Sequence, residues 1–169
     1  MSEVTTRTPP SNSTLIVSSK EEARAAVVTV TGLANRGLAI LTPDLEAEIY
    51  DHDDFLESLK RFVLARSFAR VRVLISDPAR TLKNGNRFVD IGRRLNSYIE
   101  FRDLKPEFRH HSDAFCIADD QAIVYRARSD TWGGMLGTHE PGVARHYLDI
   151  FDSLWHACEV NAELRQLSV

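Results

Sequence analysis

Hydrophobic residues change their spacing several times along this chain, and each change predicts a new element of secondary structure. Apolar residues at helical spacing predict a first helix over about residues 20–34, and Ser19 with Glu22 forms the capping-box pattern that begins a helix. A continuous apolar run at residues 37–41 then predicts a short buried strand that ends at Pro43.

A second helix is expected to begin near Asp53 or Asp54, whose carboxylates can accept hydrogen bonds from the amides of a first helical turn. Its apolar face is predicted to hold Phe55, Leu59, Phe62, Val63 and Phe68. Residues 69–76, ARVRVLIS, alternate and then become continuously apolar, which is typical of a central strand covered on both faces.

The next helix has a strong start at Asp77 and Pro78, because Asp caps the helix and Pro needs no amide partner in the first turn. We expect this third helix to continue past Gly85 and Gly92 through the apolar residues Leu82, Phe88, Ile91 and Leu95. Residues 98–102 predict the strand that follows.

A hairpin is predicted from residues 114–117 and 121–125, with its turn at Asp119 and Asp120. Residues 132–137 are interpreted as a Gly-rich loop. Its Trp132 could line a pocket or an interface, or could simply anchor the loop.

The clearest pattern in the chain is a final helix begun by Pro141. Its apolar stripe consists of Val143, Tyr147, Ile150, Phe151, Leu154, Trp155 and Cys158. Trp155 is therefore expected in the core.

This succession of elements predicts an α/β fold with a mixed sheet flanked by helices. We expect a single domain over residues 18–169, since 169 residues are too few for two ordinary domains. Residues 1–17 are rich in Ser, Thr and Pro without a period, which predicts a disordered tail.

The composition, with 43% hydrophobic and 27% charged residues, is that of a globular domain. The apolar runs are too short to cross a membrane, and the N-terminus lacks the pattern of a secretion signal. Cys116 and Cys158 lack the spacing of a zinc site or a disulfide scaffold. We therefore expect a cytoplasmic protein that has no cofactor and does not bind membranes.

Charge is unevenly distributed, although the formal net charge is only −3 and gives no reason to expect strong nonspecific binding to nucleic acid. Residues 43–57 hold seven acids and no Lys or Arg, whereas residues 60–109 hold thirteen Lys and Arg against five acids. Solvated helix faces explain most such runs.

Basic side chains of the second run could act together. Lys83, Arg87 and Arg94 could share one exposed helical stripe, and Arg70 and Arg72 could share one strand face. A phosphate-bearing partner could use the helical stripe, and an acidic face such as residues 44–57, on a second copy or on another protein, could use it equally well.

Histidines and acids cluster before the hairpin, and His110, His111 and Asp113 are residue types that bind transition metals. Neighbouring residues of a strand point to opposite faces, so both histidines could bind one ion only from a loop. No spacing selects a further ligand among the candidates Asp119, Asp130 and His139. We interpret the histidines as loop residues and expect no metal site.

The order of elements resembles one half of a phospholipase D-like fold, in which a hairpin carries the motif His-x-Lys-x-x-x-x-Asp. Residues 114–119, AFCIAD, match the hairpin, and residues 151–155, FDSLW, match a closing helix with a Phe-x-x-x-Trp pattern. The chain also resembles a bacterial family of uncharacterised domains near that superfamily. The segments that carry this resemblance are LAILTPDLEAEIYD, ARVRVLISDP and FDSLWHACEVNAELRQL.

The motif itself is not retained. With Asp119 on the motif's Asp, Ser112 occupies the His position and Ala114 the Lys position. Moving His111 onto the His position loses both the Lys and the Asp. In the superfamily the His attacks phosphorus and the Lys stabilises the phosphoryl oxygens, so we assign no catalytic residue.

The first functional hypothesis is a non-catalytic module that binds a partner or a phosphate-bearing ligand, nucleic acid included, at the former active-site face. Arg126 and Arg128 follow the second hairpin strand and would place guanidinium groups beside that face. The expected ligand-binding residues are Arg126, Arg128, Asp119, His111 and Ser112. Alternatively, each arginine pairs with a nearby acid such as Asp119 or Asp130.

Two other hypotheses stay open. One is a hydrolase, such as a phosphodiesterase, with a rebuilt site of His110, His111, Asp113 and Asp119. The other is a structural homodimer, because the resemblance implies pairing of half-domains through the motif face.

Overall fold

The computed structural model describes residues 14–165, which form an eight-stranded mixed sheet with helices on both faces. The strands are β1 (Thr14–Val17), β2 (Gly37–Thr42), β3 (Arg70–Ile75), β4 (Ile99–Asp103), β5 (Ala114–Ala118), β6 (Ala122–Arg126), β7 (Gly134–Gly137) and β8 (Glu159–Val160). The helices are α1 (Lys20–Leu33), α2 (Ala47–Tyr50), α3 (Asp53–Ala65), α4 (Pro78–Asn84), α5 (Arg87–Arg94), α6 (Pro141–Ala157) and α7 (Ala162–Arg165), with a 3₁₀ turn at Pro106–Phe108. The predicted α/β class and mixed sheet are confirmed.

The sheet has the order β1-β7-β6-β5-β2-β3-β4-β8. Strands β2, β3 and β4 are parallel, whereas β5 runs antiparallel to β2 and pairs Phe115 with Leu41. The start of β5 therefore lies beside the carboxyl end of β2. This places Ser112 and Ala114 at the edge of the sheet where ligands bind in open α/β folds, whereas Asp119 follows the other end of β5.

Two hydrophobic clusters cover the two faces of the sheet. One cluster packs α1, α3 and α5 onto one face, with Phe55, Phe88 and Phe101 in edge-to-face contact. The other packs α6 onto the opposite face through Phe151 and Trp155. Trp155 is 5% exposed, which confirms its predicted place in the core.

The predicted third helix is wrong as a continuous element, because the structure has α4 and α5 in its place. Gly85 has φ +71°, a left-handed conformation that ends α4. The side chain of Asn86 then caps α5 by accepting a hydrogen bond from the Phe88 amide at 2.8 Å. Because the helix breaks here, Lys83 does not share a stripe with Arg87 and Arg94.

Two predicted helix details also differ. His52, not Asp53 or Asp54, caps α3, and its Nδ1 accepts a hydrogen bond from the Asp54 amide at 3.4 Å. Phe68 lies beyond the end of α3 and is 56% exposed, because the chain has already turned toward β3.

Pairing between distant segments creates two strands where the sequence predicts loop or tail. Gly134–Gly137, within the predicted Gly-rich loop, forms β7 and pairs with β6. Thr14–Val17 forms β1 against β7, so the predicted tail is wrong for its last four residues. Residues 1–13 lie outside the described residues, and a disordered tail there stays a prediction.

Helices of the described chain are all too short or too polar to cross a membrane.

Candidate functional site

A cleft of about 460 Å³ opens where β2 ends and the chain turns into α2. We call it the carboxyl-edge cleft and define it by its lining residues Asp44, Glu46, Glu48, Arg80, Asp130 and Trp132. Its size suits a small ligand or a side chain of a partner.

A buried ion pair forms at one end of this cleft. Arg126, the last residue of β6, is 4% exposed and donates from Nη2 to Glu46 Oε2 at 2.5 Å. Its Nη1 donates to the carbonyl of Thr131 at 3.3 Å, and its guanidinium lies 5.1 Å from the ring centre of Trp132. Burial raises the pKa of Glu46, and the positive charge of Arg126 partly opposes this rise. Arg126 is therefore engaged by groups of the protein itself.

Carboxylates dominate the rest of the lining. Asp44 forms an ion pair with Arg80 at 3.1 Å, and burial raises the pKa of Asp44 against the lowering effect of that arginine. Glu48 and Asp130 add two further carboxylates. Glu46 pairs with Arg126, Asp44 with Arg80 and Asp130 with Arg128, so among the described residues Glu48 supplies the negative excess of the lining. This excess disfavours a phosphate and favours a positively charged or hydrogen-bond-donating group.

Two of the three predicted motif positions, Ser112 and Ala114, lie next to this cleft. Ala114, at the Lys position, is buried and pairs with Arg126 across the β5–β6 ladder. Ser112, at the His position, is exposed, and its carbonyl accepts a hydrogen bond from the Ser129 amide at 2.7 Å. The two positions therefore hold a buried methyl group and an exposed hydroxyl.

The remaining predicted ligand-binding residues do not converge. Arg128 is exposed and forms two hydrogen bonds with Asp130, at 2.7 and 3.1 Å, which is the pairing expected in the alternative interpretation. Asp119 lies at the far end of the hairpin, roughly 15 Å from Arg126 at about 3.3 Å per residue.

Asp119 has a structural role at the turn of the hairpin. Its carboxylate accepts hydrogen bonds from the amides of Asn35, Arg36 and Gly37 at 3.0, 2.7 and 3.0 Å. Its own backbone has φ +57°, which Asp tolerates in turns. The residue anchors the loop before β2 to the hairpin turn.

The histidines lie in the loop after the 3₁₀ turn, and the rings of His110 and His111 are 4.4 Å apart. Asp113 lies near α6, where its Oδ2 accepts a hydrogen bond from the Tyr125 hydroxyl at 3.2 Å. Within residues 14–165, no three His, Cys, Asp or Glu side chains are placed to hold a metal ion. The structure thus separates Asp113 and Asp119, which the rebuilt-site hypothesis requires together.

Glu46, the ion-pair partner of Arg126, is not among the site residues that the sequence predicts. Glu46 belongs to the acidic run 43–57, which was interpreted as a solvated face. One signal was available, since Glu46 follows a predicted buried strand by only a few residues, and the carboxyl ends of parallel strands are where functional side chains gather.

A family model described as "Domain of unknown function (DUF7931)" matches residues 19–167. A search of curated protein sequences found no match.

Solved structures share the fold at low sequence identity. Nuc from Salmonella typhimurium, a phospholipase D family member, has a TM-score of 0.61 and 15% identity over 88% of this chain and 97% of that chain. NucT from Helicobacter pylori has a TM-score of 0.57 and 12% identity over 88% of this chain and 98% of that one. TrmBL2, an archaeal chromatin protein, has a TM-score of 0.65 and 13% identity over 94% of this chain, which spans only 57% of TrmBL2. Likeness at this identity establishes the phospholipase D-like fold alone.

Proposed function

Since the chain belongs to the DUF7931 family of domains of unknown function and has a phospholipase D-like fold, we propose that it is a non-catalytic module that binds a partner at the carboxyl-edge cleft. The observation that carries this proposal is the buried Glu46–Arg126 pair beside Ala114. A neutral pair and a methyl group stand where the superfamily's reaction needs a free cation, which supports binding without turnover.

The charge of the cleft supports a partner with basic or hydrogen-bond-donating groups. The lining holds four carboxylates, of which Glu48 has no ion-pair partner among the described residues. Phosphate groups would be repelled here, although TrmBL2 is described as binding DNA. A symmetric homodimer through this face would bring the same carboxylates of two copies together, which is also unfavourable.

The proposal includes a reducing compartment such as the cytoplasm. Cys116 and Cys158 are both buried and unpaired, and burial raises the pKa of the Cys116 thiol to about 12. Thiols in this state do not require an oxidising environment.

Turnover is tested with bis(p-nitrophenyl) phosphate and a labelled oligonucleotide as substrates. We expect no hydrolysis above the rate in buffer, and no effect of Ser112→Ala or His111→Ala. Hydrolysis that His111→Ala abolishes would overturn the proposal in favour of the rebuilt-site enzyme.

Binding is tested through the fluorescence of Trp132, isolated by the Trp155→Phe substitution, during titration with an arginine-rich peptide or a glutamate-rich peptide. We expect a saturable change with the basic peptide only. The double variant Asp44→Asn/Glu48→Gln should weaken its binding about fivefold, because partly exposed ion pairs contribute up to about 1 kcal/mol.

The matched control removes two exposed carboxylates elsewhere, in Asp90→Asn/Glu107→Gln. We expect this control to bind the basic peptide as the parent does. An equal loss in both double variants, or no response of Trp132 to the basic peptide, would contradict binding at the cleft.

A further inference from the structure

A second cleft, of about 530 Å³, lies at the opposite end of the sheet. We call it the amino-edge cleft and define it by Arg36, Arg70, Arg72, Asp119, Asp120 and Arg145. We infer that this cleft binds the phosphate groups of a nucleotide or a nucleic-acid strand. This inference goes beyond the function proposed for the carboxyl-edge cleft and does not depend on it.

The fold brings these arginines together from separate segments. Arg36 precedes β2, and Arg70 begins β3 in register with Gly37. Arg72 lies two residues further along β3, on the sheet face that α6 packs against. Arg70 and Arg72 share this face, as the sequence predicts. Arg145 belongs to α6, so the arginines that line the cleft come from the loop before β2, from β3 and from α6.

Two of these guanidinium groups have no counter-ion within the part of the chain that the structure describes. Within residues 14–165, no carboxylate lies within 4.0 Å of the guanidinium of Arg36 or Arg70, and both side chains are exposed. Nη1 of Arg70 donates to the carbonyls of Ser67 and Ala69 at 3.2 and 2.7 Å. These bonds orient the guanidinium of Arg70 without neutralising it.

The other charges of the cleft are partly balanced. Arg72 pairs with Asp152 at 2.8 Å and lies over the ring of Phe151 at 5.0 Å. Arg145 has only long contacts, 3.6 Å to Asp120 and 3.5 Å to Asp149. The carboxylate of Asp119 accepts hydrogen bonds from three backbone amides, which leave its negative charge in place. The lining holds four arginines against the two carboxylates of Asp119 and Asp120, so it keeps a positive excess.

An exposed aromatic ring two residues before Arg70 favours a nucleotide over another anion. Phe68 is 56% exposed and lies in the turn whose carbonyls hold Arg70. Cationic side chains next to an aromatic ring form the combination that binds a phosphate and stacks on its base. Arginine forks also match phosphate oxygens.

The test uses fluorescence anisotropy with a labelled single-stranded 12-mer between 50 and 200 mM KCl. We expect Arg36→Ala/Arg70→Ala to weaken binding about tenfold at 100 mM KCl and to reduce the slope of log K against log salt by about 1.4, since each single-strand phosphate contact contributes about 0.7. Phe68→Ala should weaken binding about fivefold or more through loss of one base stack.

The matched control is Arg61→Ala/Arg94→Ala, which removes two exposed arginines from α3 and α5. It should leave both the affinity and the slope unchanged. Arg36→Ala alone, whose side chain makes no described hydrogen bond within residues 14–165, should lower the slope by about 0.7 and guards against misfolding of the double variant.

ATP as competitor distinguishes the two sources of phosphate. Displacement of the 12-mer by ATP, with ATP binding lost in the arginine double variant, would identify a free nucleotide as sufficient; displacement only by an unlabelled strand would identify nucleic acid. Salt-independent behaviour, absence of binding by both probes, or an equal loss in the control would overturn the inference. Asp44→Asn/Glu48→Gln should not weaken binding of the 12-mer, so this inference and the proposed function can fail separately.

Discussion

At the scale of single residues, the buried ion pair formed by Glu46 and Arg126 joins two distant segments of this domain. Arg126 is 4% and Glu46 9% exposed, so neither charge is well solvated. Removing ions from water costs several kcal/mol each, and a close partner offsets this cost only while both partners are present. The pair therefore holds the end of β6 and the start of α2 in one arrangement more than it adds stability.

Glu46→Ala should lower the free energy of unfolding by about 3–5 kcal/mol, because it leaves the buried guanidinium of Arg126 without a counter-ion. The double variant Glu46→Leu/Arg126→Met should be much closer to the parent, since it removes both charges and keeps apolar volume. Urea denaturation of the parent and the two variants measures these free energies of unfolding. A double variant no more stable than Glu46→Ala would show that the pair is needed for packing as well as for charge.

The same pair should make stability depend on pH. Burial raises the pKa of Glu46 in the folded protein above its value of 4.5, so the folded state retains this proton where the unfolded chain has lost it. The contribution of Glu46 is then fully present below pH 4.5 and is lost as the pH rises through the folded pKa. The stability of the parent relative to Glu46→Leu/Arg126→Met, from urea midpoints between pH 4 and 8, should fall with rising pH. A rise with pH would mean that the attraction of Arg126 outweighs burial.

At the scale of elements, the segment from Pro78 to Arg94 shows how a local break and a tertiary contact place one helix. Gly85 ends α4, Asn86 begins α5, and the Asn86 side-chain amide also donates to the carbonyl of Leu45 at 2.9 Å. Gly92 then allows α5 to approach β4, since a Cβ at this position would overlap the ring of Phe101. The break and the close approach together position α5 beside the carboxyl-edge cleft.

Gly92→Ala should therefore destabilise the protein by about 1–3 kcal/mol, because overpacking against Phe101 outweighs the gain of about 1 kcal/mol in helix propensity. Gly142→Ala is the matched control, since a Cβ at Gly142 in the first turn of α6 meets nothing within 4 Å. That variant should be neutral or more stable by up to about 1 kcal/mol. Thermal denaturation of both variants distinguishes the two effects, and a stabilised Gly92→Ala would contradict close packing of α5.

At the scale of the whole molecule, two features depend on several elements together. They are the distribution of charge over the surface and the pairing of β1 with β7 at one edge of the sheet. The net charge of −3 conceals an acidic cleft at one edge of the sheet and a basic cleft at the other. Strand β1 covers the edge of β7 and buries Val17, which is 4% exposed. The domain thus includes residues before α1.

Removing residues 1–17 should destabilise the protein by about 2 kcal/mol or more, because it loses the burial of Val17 and exposes the edge of β7. Removing residues 1–10 should have a smaller effect, since it spares β1. Urea midpoints and light scattering of the two shortened chains measure stability and aggregation. Equal stability of both would show that β1 contributes nothing to the fold.

The elements were predictable where the signal was local. Three such signals are the capping pair Ser19 and Glu22, the apolar run of β3 and the amphipathic stripe of α6. Each lies within a few helical turns or a single strand, so the local order of residues defines it. β7 was missed because a Gly-rich segment becomes a strand only when β6 and β1 supply its hydrogen bonds. The ligand-binding role of Arg126, Arg128, Asp119, His111 and Ser112 stays a prediction.

The sequence by itself determined the class of fold, because backbone periodicity is a local property. Only the tertiary structure decided which charged side chains form ion pairs and which line a cleft. Arg126 and Glu46 are 80 residues apart, and Arg36, Arg70 and Arg145 come from three separate segments. Whether a charge is paired or free depends on which segments the sheet brings within a few ångströms, and Coulomb attraction at that range is insensitive to separation along the chain.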